Sequence, residues 1–239
     1  MTAPSRVLTA SRTLTAVKGK ALYHDGIDDY VSIPDDPSLD ITNAITFEAW
    51  VNLNPKSSYY GIASKGYSWN FEWYSGGWMS ELYIDGNWRN CAWFTFTNYF
   101  GKWAHLVLTY DSDTHYCKKY LNGNLVKANE FTDLSDYKIG SSSYSVQIGM
   151  NTHHGLEHAN GTIALVRIYE RALSAAEVLY NKEHPYNPIL HGCVLWLGHD
   201  SIDEGAGIWR DKSGYNNDGV VYGATAVEMN KLAGRVLSV

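Results

Sequence analysis

Hydrophobic and polar residues alternate along most of this chain with a period of two, and turn residues break the alternation at short intervals. Tyr30-Val31-Ser32-Ile33 stops at Pro34 and gives way to the polar turn Asp35-Asp36-Pro37-Ser38. Ile45 to Leu53 (ITFEAWVNL) alternates well enough to predict a strand buried on one face. Trp103 to Tyr110 (WAHLVLTY) is apolar on both faces and predicts a central strand, and Val146 to Met150 and Thr162 to Tyr169 continue the series. Two tight hairpins are predicted at Tyr83-Ile84-Asp85-Gly86-Asn87-Trp88 and Tyr120-Leu121-Asn122-Gly123-Asn124-Leu125. Asp-Gly and Asn-Gly accept the positive φ angles that primed two-residue turns require. One helix is expected: Ser174-Ala175-Ala176-Glu177 is a capping box, an apolar face begins at Val178-Leu179, and Pro185 ends it. Short strands with regular turns and one accessory helix make an all-β sandwich or barrel.

Composition narrows this picture. A chain of 239 residues with 45% hydrophobic positions can fill a single large β core. Charged residues are only 18% against 14% aromatic, which suits rigid β surfaces and not disordered or coiled-coil segments. The net charge of −6 argues against a sequence-independent nucleic-acid binder. No apolar run reaches the roughly 18–20 residues of a membrane span, and residues 1–20 lack the apolar stretch of a signal peptide. Those twenty residues instead repeat themselves, Ser5 to Ala10 and then Ser11 to Ala16, and Gly234 to Val239 is a third relative. The repeats predict extended arms at both ends, pairing with each other or with a neighbouring copy. Cys91, Cys117 and Cys193 are too few for a disulfide framework. Three free thiols are expected, with a Cys91–Cys117 bridge as the alternative.

Several segments resemble the laminin-G-like branch of the concanavalin A-like lectin and glucanase superfamily. They are Ala21 to Val31 (ALYHDGIDDYV) with Ile33-Pro34, Phe47-Glu48-Ala49-Trp50-Val51, Trp103-Ala104-His105 with Thr109-Tyr110-Asp111, Tyr120-Leu121-Asn122-Gly123, and Gly161 to Ser174. The resemblance implies a jelly-roll sandwich of two antiparallel sheets over residues 21–185. It departs at Ala164, where the family often has an acidic residue. Residues 186–239 bring a second likeness: Gly192 to Leu197 and Asp211 to Gly219 resemble the segment that normally precedes the first strand of such a domain. About fifty residues cannot bury a stable core alone, so this tail is expected to complete its own sandwich in permuted order or a neighbour's. The resemblance also implies calcium as the one cofactor to look for. Asp25, Asp28 and Asp29 crowd one turn, and Asp211, Asn217 and Asp218 another, supplying the oxygens a hard cation prefers.

Catalytic chemistry is not apparent. Glu48, Glu72 and Glu81 are singletons, where a glycosidase needs a facing carboxylate pair, and Glu48 is expected in solvent. His154 and His158 have helical metal-ligand spacing but fall in a loop beside Gly155. The strongest surface signal is aromatic: five of nine tryptophans lie between Trp69 and Trp93. Alternation puts Trp69, Phe71 and Trp73 in the core and turns Asn70, Glu72 and Tyr74 outward. Trp78 and Trp88, beside glycines and turns, are expected to be exposed, and Tyr59 and Tyr60 to join them in a glycan-binding surface. The expected function is thus a non-catalytic carbohydrate-binding or adhesive module, with a glycan or surface polysaccharide as partner and an extracellular or virion location. A structural assembly protein, with arms contacting neighbouring copies, is the alternative.

Overall fold

The computed structural model describes residues 19–56, 59–74, 76–151 and 157–229. The arms predicted from the terminal repeats, and His154 of the histidine pair noted above, lie outside these residues.

The strands follow in chain order. The first six are β1 (Gly19–Asp25), β2 (Tyr30–Ile33), β3 (Ala44–Leu53), β4 (Tyr60–Lys65), β5 (Trp69–Tyr74) and β6 (Gly77–Ile84). Next come β7 (Asn87–Asn90), β8 (Phe94–Thr95), β9 (Ala104–Asp111), β10 (Tyr116–Leu121), β11 (Asn124–Glu130) and β12 (Val146–Ile148). A small hairpin, β13 (Met150–Asn151) and β14 (Glu157–His158), precedes β15 (Asn160–Tyr169) and helix α1 (Ala175–Glu183). The tail adds β16 (Cys193–Asp203), β17 (Ile208–Asp211), β18 (Gly219–Tyr222) and β19 (Thr225–Met229). Among the described residues these strands pair antiparallel, as in a jelly-roll sandwich. Both Asx-Gly turns form as the sequence predicts, with positive φ at Asp85, Gly86, Asn122 and Gly123. Ser174 and Glu177 close the capping box that starts α1.

Two layers emerge from the pairings. In the first, β19, β1, β15, β3, β9, β10 and β11 lie side by side, with β16 sharing the edge of β15. In the second, β17, β18, β2, β12, β4, β5, β6 and β7 follow one another. The long β16 shifts register between Leu197 and Ile202, so it pairs with β15 in one layer and β17 in the other. Inward-facing positions meet between the layers, where Phe47 of β3 stacks on Phe71 of β5 at 4.0 Å. Trp69, Phe71 and Trp73 are buried there as alternation predicts.

The cysteines correct the sequence reading. Cys91 and Cys117 form a disulfide, and only Cys193 among the three is free and buried. Cys91 directly follows β7 of the second layer and Cys117 stands on β10 of the first, so the bond ties the layers together. Twenty-six residues separate the two, and spacing along the chain says nothing of two layers facing each other. Beside it, Lys119 donates to the carbonyls of Trp78, at 3.0 Å, and Ala92. Burial lowers the Lys119 amine to about 7, against the opposing pull of Glu72 and Glu81.

The outer face of the first layer is covered. Glu48, expected in solvent, is fully buried there: Arg167 Nη1 lies 2.8 Å and His105 Nε2 2.9 Å from its Oε1, and Asn181 Nδ2 of α1 donates to Oε2 at 2.8 Å. Asn181 also accepts from the Ile189 amide at 2.9 Å, and Arg167 donates to the Pro185 carbonyl. A carboxylate so deeply placed needs such partners, and together they moor α1 and the following linker on the sheet. Val107, Tyr120, Tyr169, Val178 and Trp196 pack around this anchor. The outer face of the second layer is covered in part by the β13–β14 hairpin.

Candidate functional site

Glycines and cross-strand register shape the outer face of the second layer. At one end Tyr74 stands opposite Gly77 of β6. The Trp93 indole lies directly against Gly77, leaving no room for a Cβ there. On the other side of Tyr74, the Tyr59 ring stacks at 3.8 Å with an interplanar angle of 14°. Tyr59, Tyr74 and Trp93 thus make an aromatic platform in which Tyr74 and Trp93 are 37% and 43% exposed. Burial raises the Tyr59 hydroxyl to about 12, with help from its hydrogen bond to Tyr74 and the charges of Glu72 and Glu157.

Beyond the platform, two rows of outward positions cross the sheet. The first joins Gly61, Glu72 and Met79. The next runs Ser32, Gln147, Ser64, Asn70, Glu81 and Asn90 across β2, β12, β4, β5, β6 and β7. Both ends of the Asn70 carboxamide are buried without a hydrogen-bond partner, as is Gln147 Oε1. At the far end Tyr83 meets Trp88 edge-on at 5.4 Å and Tyr67 at 5.5 Å. Tyr144 lies 5.9 Å from Tyr67 and covers Gly66.

Alternation therefore assigns the faces correctly and misjudges exposure. Asn70 and Glu72 do point outward, yet both are fully buried. For Glu72 the reason is visible: the β13–β14 hairpin lies against Gly61, where only glycine fits, and Asn151 Nδ2 donates to Glu72 Oε2. Two aromatic expectations are corrected. Trp78 is core, because Gly77 opens β6 facing outward opposite Tyr74 and the next residue is the first inward one, opposite Trp73. Tyr60 also pairs with Trp73 inside, and its hydroxyl donates to the Asn54 carbonyl at 3.2 Å. Trp88 is half-buried, while Tyr59 and Tyr74 stay on the surface. Sequence reasoning missed Trp93 as a platform residue. The available signal was Gly77, since a glycine inside a strand marks a close approach from outside.

Among the described residues, Asp25, Asp28 and Asp29 are the one group of three His, Cys, Asp or Glu side chains with ligand atoms within 4.8 Å of one another. Asp25 Oδ1 accepts from the Ile27 amide and Asp29 Oδ2 from the Asp25 amide, each at 2.8 Å, as turn aspartates do. Burial first, and then the charges of Asp25 and Asp28, raise the Asp29 carboxyl above its ordinary range. These oxygens are of the kind calcium takes, but nothing else described at this turn points to an ion. The tail residues do not join them. Asp211 accepts from the amides of Trp196, Ser213 and Asn217. Asp218 accepts from the Asp211 amide and pairs with Arg210. Asn217 donates to Ser38 Oγ and the Val194 carbonyl. The carboxylates of Asp211 and Asp218 accept from amides of their own turn. His158 is buried with Nδ1 3.2 Å from the Asp29 carbonyl.

Residues 25–179 match Laminin_G_3, of the concanavalin A-like lectin/glucanases superfamily. The chain belongs to this family. No curated protein sequence matches it significantly. Among solved structures, a protein from Bacteroides ovatus described as carbohydrate binding superposes with a TM-score of 0.70 at 17% identity, over 89% of this chain and 60% of that one. The ligand-binding domain of botulinum neurotoxin serotype D, solved with N-acetylneuraminic acid, gives 0.54 at 17% identity over 69% and 42%. A heptameric SAP-like pentraxin from Limulus polyphemus gives 0.51 at 14% identity over 69% and 82%. The chain thus spans less than two thirds of the Bacteroides chain and less than half of the toxin chain. At these identities the likeness is one of fold.

A buried carboxamide with neither end bonded should weaken the fold. Replacing Asn70 with leucine, close in shape, is expected to raise stability by about 1–3 kcal/mol, read as a higher urea midpoint at unchanged m. A lower midpoint would show that Asn70 already holds a bound water or another partner.

Proposed function

We propose that this chain is a non-catalytic carbohydrate-binding module whose glycan lies on the outer face of the second layer. The observation that carries the reading is the Tyr59–Tyr74–Trp93 platform, with Tyr74 and Trp93 open to solvent. Sugar rings present flat C–H faces to aromatic rings, and their hydroxyls both donate and accept. Among the described residues, α1 and its linker cover much of the opposite layer's outer face. Catalysis finds little support: Glu48 is locked in a buried ion network, and Glu72 is bonded beneath a hairpin. Two proteins of similar fold are described as binding carbohydrate or sialic acid. The Cys91–Cys117 bond suits an oxidising setting such as the cell exterior, and among the described residues no helix is long and apolar enough to cross a membrane.

A glycan array followed by titration calorimetry tests this. The wild-type chain is expected to bind at least one glycan saturably. Tyr74→Ala and Trp93→Ala should each weaken that binding about tenfold, the equivalent of one stacking contact of roughly 1.4 kcal/mol, at unchanged melting temperature. An array with no bound glycan would overturn the proposal. So would hydrolysis of a bound polysaccharide that stops in Glu72→Gln.

A further inference from the structure

Trp93 reaches the platform through an irregularity in the chain that carries it. Asn90 stands opposite Glu81 of β6, while Phe94 stands opposite Trp78. Three steps along β6, from Glu81 to Trp78, are therefore matched by four steps on the facing chain. The extra residue is a bulge, and it falls between Cys91, whose amide still donates to the Ser80 carbonyl, and Phe94. Ala92 there has a φ of +63°, a left-handed conformation that glycine takes far more readily than alanine. A one-residue slip exchanges the two faces of a strand. In unbroken register Trp93 would oppose Trp78 and point into a core already filled by Trp73 and Trp78. With the bulge, Phe94 takes the inward place and Trp93 stands exposed against Gly77.

Two bonds from the first layer hold this bulge. Cys91 is tied to Cys117 of β10, and two residues on, the Lys119 side chain crosses the core to the Ala92 and Trp78 carbonyls. Lys119 has no solvent exposure, and its nitrogen lies 5.1 Å from the centre of the Trp78 ring. A lysine is buried this deeply only where its donors are met. Here the two acceptors flank the bulge, one on each side. We infer that Lys119 is a positioning residue for the binding platform: it clamps the Ala92 carbonyl, fixes the bulge, and so keeps Trp93 turned outward. The inference rests on the carbohydrate reading above and adds what sets the geometry of its platform. One layer of the sandwich thus aims a side chain on the far face of the other.

The test uses the full chain and two readouts. Hydroxyl-radical footprinting, read by peptide mass spectrometry, reports the exposure of Trp93 without any sugar. Calorimetry with the glycan that binds most tightly on the array reports affinity. Lys119→Met keeps a long unbranched side chain and removes its donors. It should cut Trp93 oxidation severalfold and weaken glycan binding about tenfold, the loss expected of Trp93→Ala. Because both changes act through one ring, the combined variant should bind no more weakly than Trp93→Ala does. Ala92→Gly, which takes the left-handed turn without help, should restore most of the oxidation and affinity in the Lys119→Met background. If Lys119→Met fails to fold, Ala92→Val puts a β-branched residue at the same φ and should turn Trp93 inward with Lys119 intact. Wild-type oxidation and affinity in Lys119→Met, or in Ala92→Val where that stands in, would reduce Lys119 to a structural role and overturn the inference. So would additive losses in the combined variant, or no recovery with Ala92→Gly. No glycan bound by the wild-type chain would remove the carbohydrate reading and the platform's role with it, and the footprint would still decide whether Lys119 aims Trp93.

Discussion

Glu48→Ala is expected to lower folding stability by about 3–5 kcal/mol, the usual result of removing one member of a buried ion pair. The loss comes less from missing attraction than from what stays behind. Arg167 would keep its charge in a site with no solvent exposure, and Asn181 would lose the acceptor that holds α1 against the sheet. Arg167 is further committed to the Pro185 carbonyl, so it cannot swing out to water without freeing the linker. Denaturant titration of wild type and variant reads the difference directly, and a change below about 1 kcal/mol would refute this account.

The same site predicts an acid limb. Burial pushes the Glu48 carboxyl up, but the Arg167 charge and the bonds from His105 and Asn181 outweigh it and hold the group at about 2. Its ordinary value is 4.5. A carboxyl depressed on folding contributes its full stability above the unfolded value and loses it as pH falls toward the folded one. The Glu48 contribution should therefore be complete above about pH 4.5 and fade toward about pH 2. The wild-type stability advantage over Glu48→Ala should shrink across that window. Comparing the two proteins cancels the titration of groups remote from Glu48.

The second large effect concerns the Cys91–Cys117 bond. Opening a loop of 26 residues restores chain entropy to the unfolded state worth about 3.5 kcal/mol on the loop-closure model. For a chain of this size that is a fall of about 10 °C in melting temperature, measured on Cys91→Ser/Cys117→Ser. Both sulfurs are buried, so mild reductant should leave the native protein intact and act only when denaturant opens the core. Thiol counting supplies the check: denatured, unreduced protein should show one free thiol, Cys193. Three would mean the bond is absent, and an unchanged melting temperature in the double variant would mean that it carries no stability.

Much of the fold was legible because period-two patterning and turn chemistry act locally. Asp85-Gly86 and Asn122-Gly123 need no distant partner to specify their turns, and Ser174 with Glu177 caps α1 from four adjacent residues. The face of each β5 residue was legible for the same reason. Exposure was not, because it depends on what arrives from elsewhere in the chain. Glu72 is covered by a hairpin some eighty residues further on, and Glu48 by a helix more distant still. Nor does a strand pattern reveal which cysteine faces which across two layers. Trp93 lay hidden because its neighbours in sequence are not its neighbours on the sheet, and only Gly77 carries the trace.

The pairing of β1 with β19 sets Gly19 directly across from Met229. A peptide that enters and departs at adjacent points occupies a host loop much as a bud occupies a stem, without prising its base apart. Grafted between two neighbouring residues of an unrelated scaffold, this lectin-like body should fold as a pendant and leave the host's own geometry undisturbed.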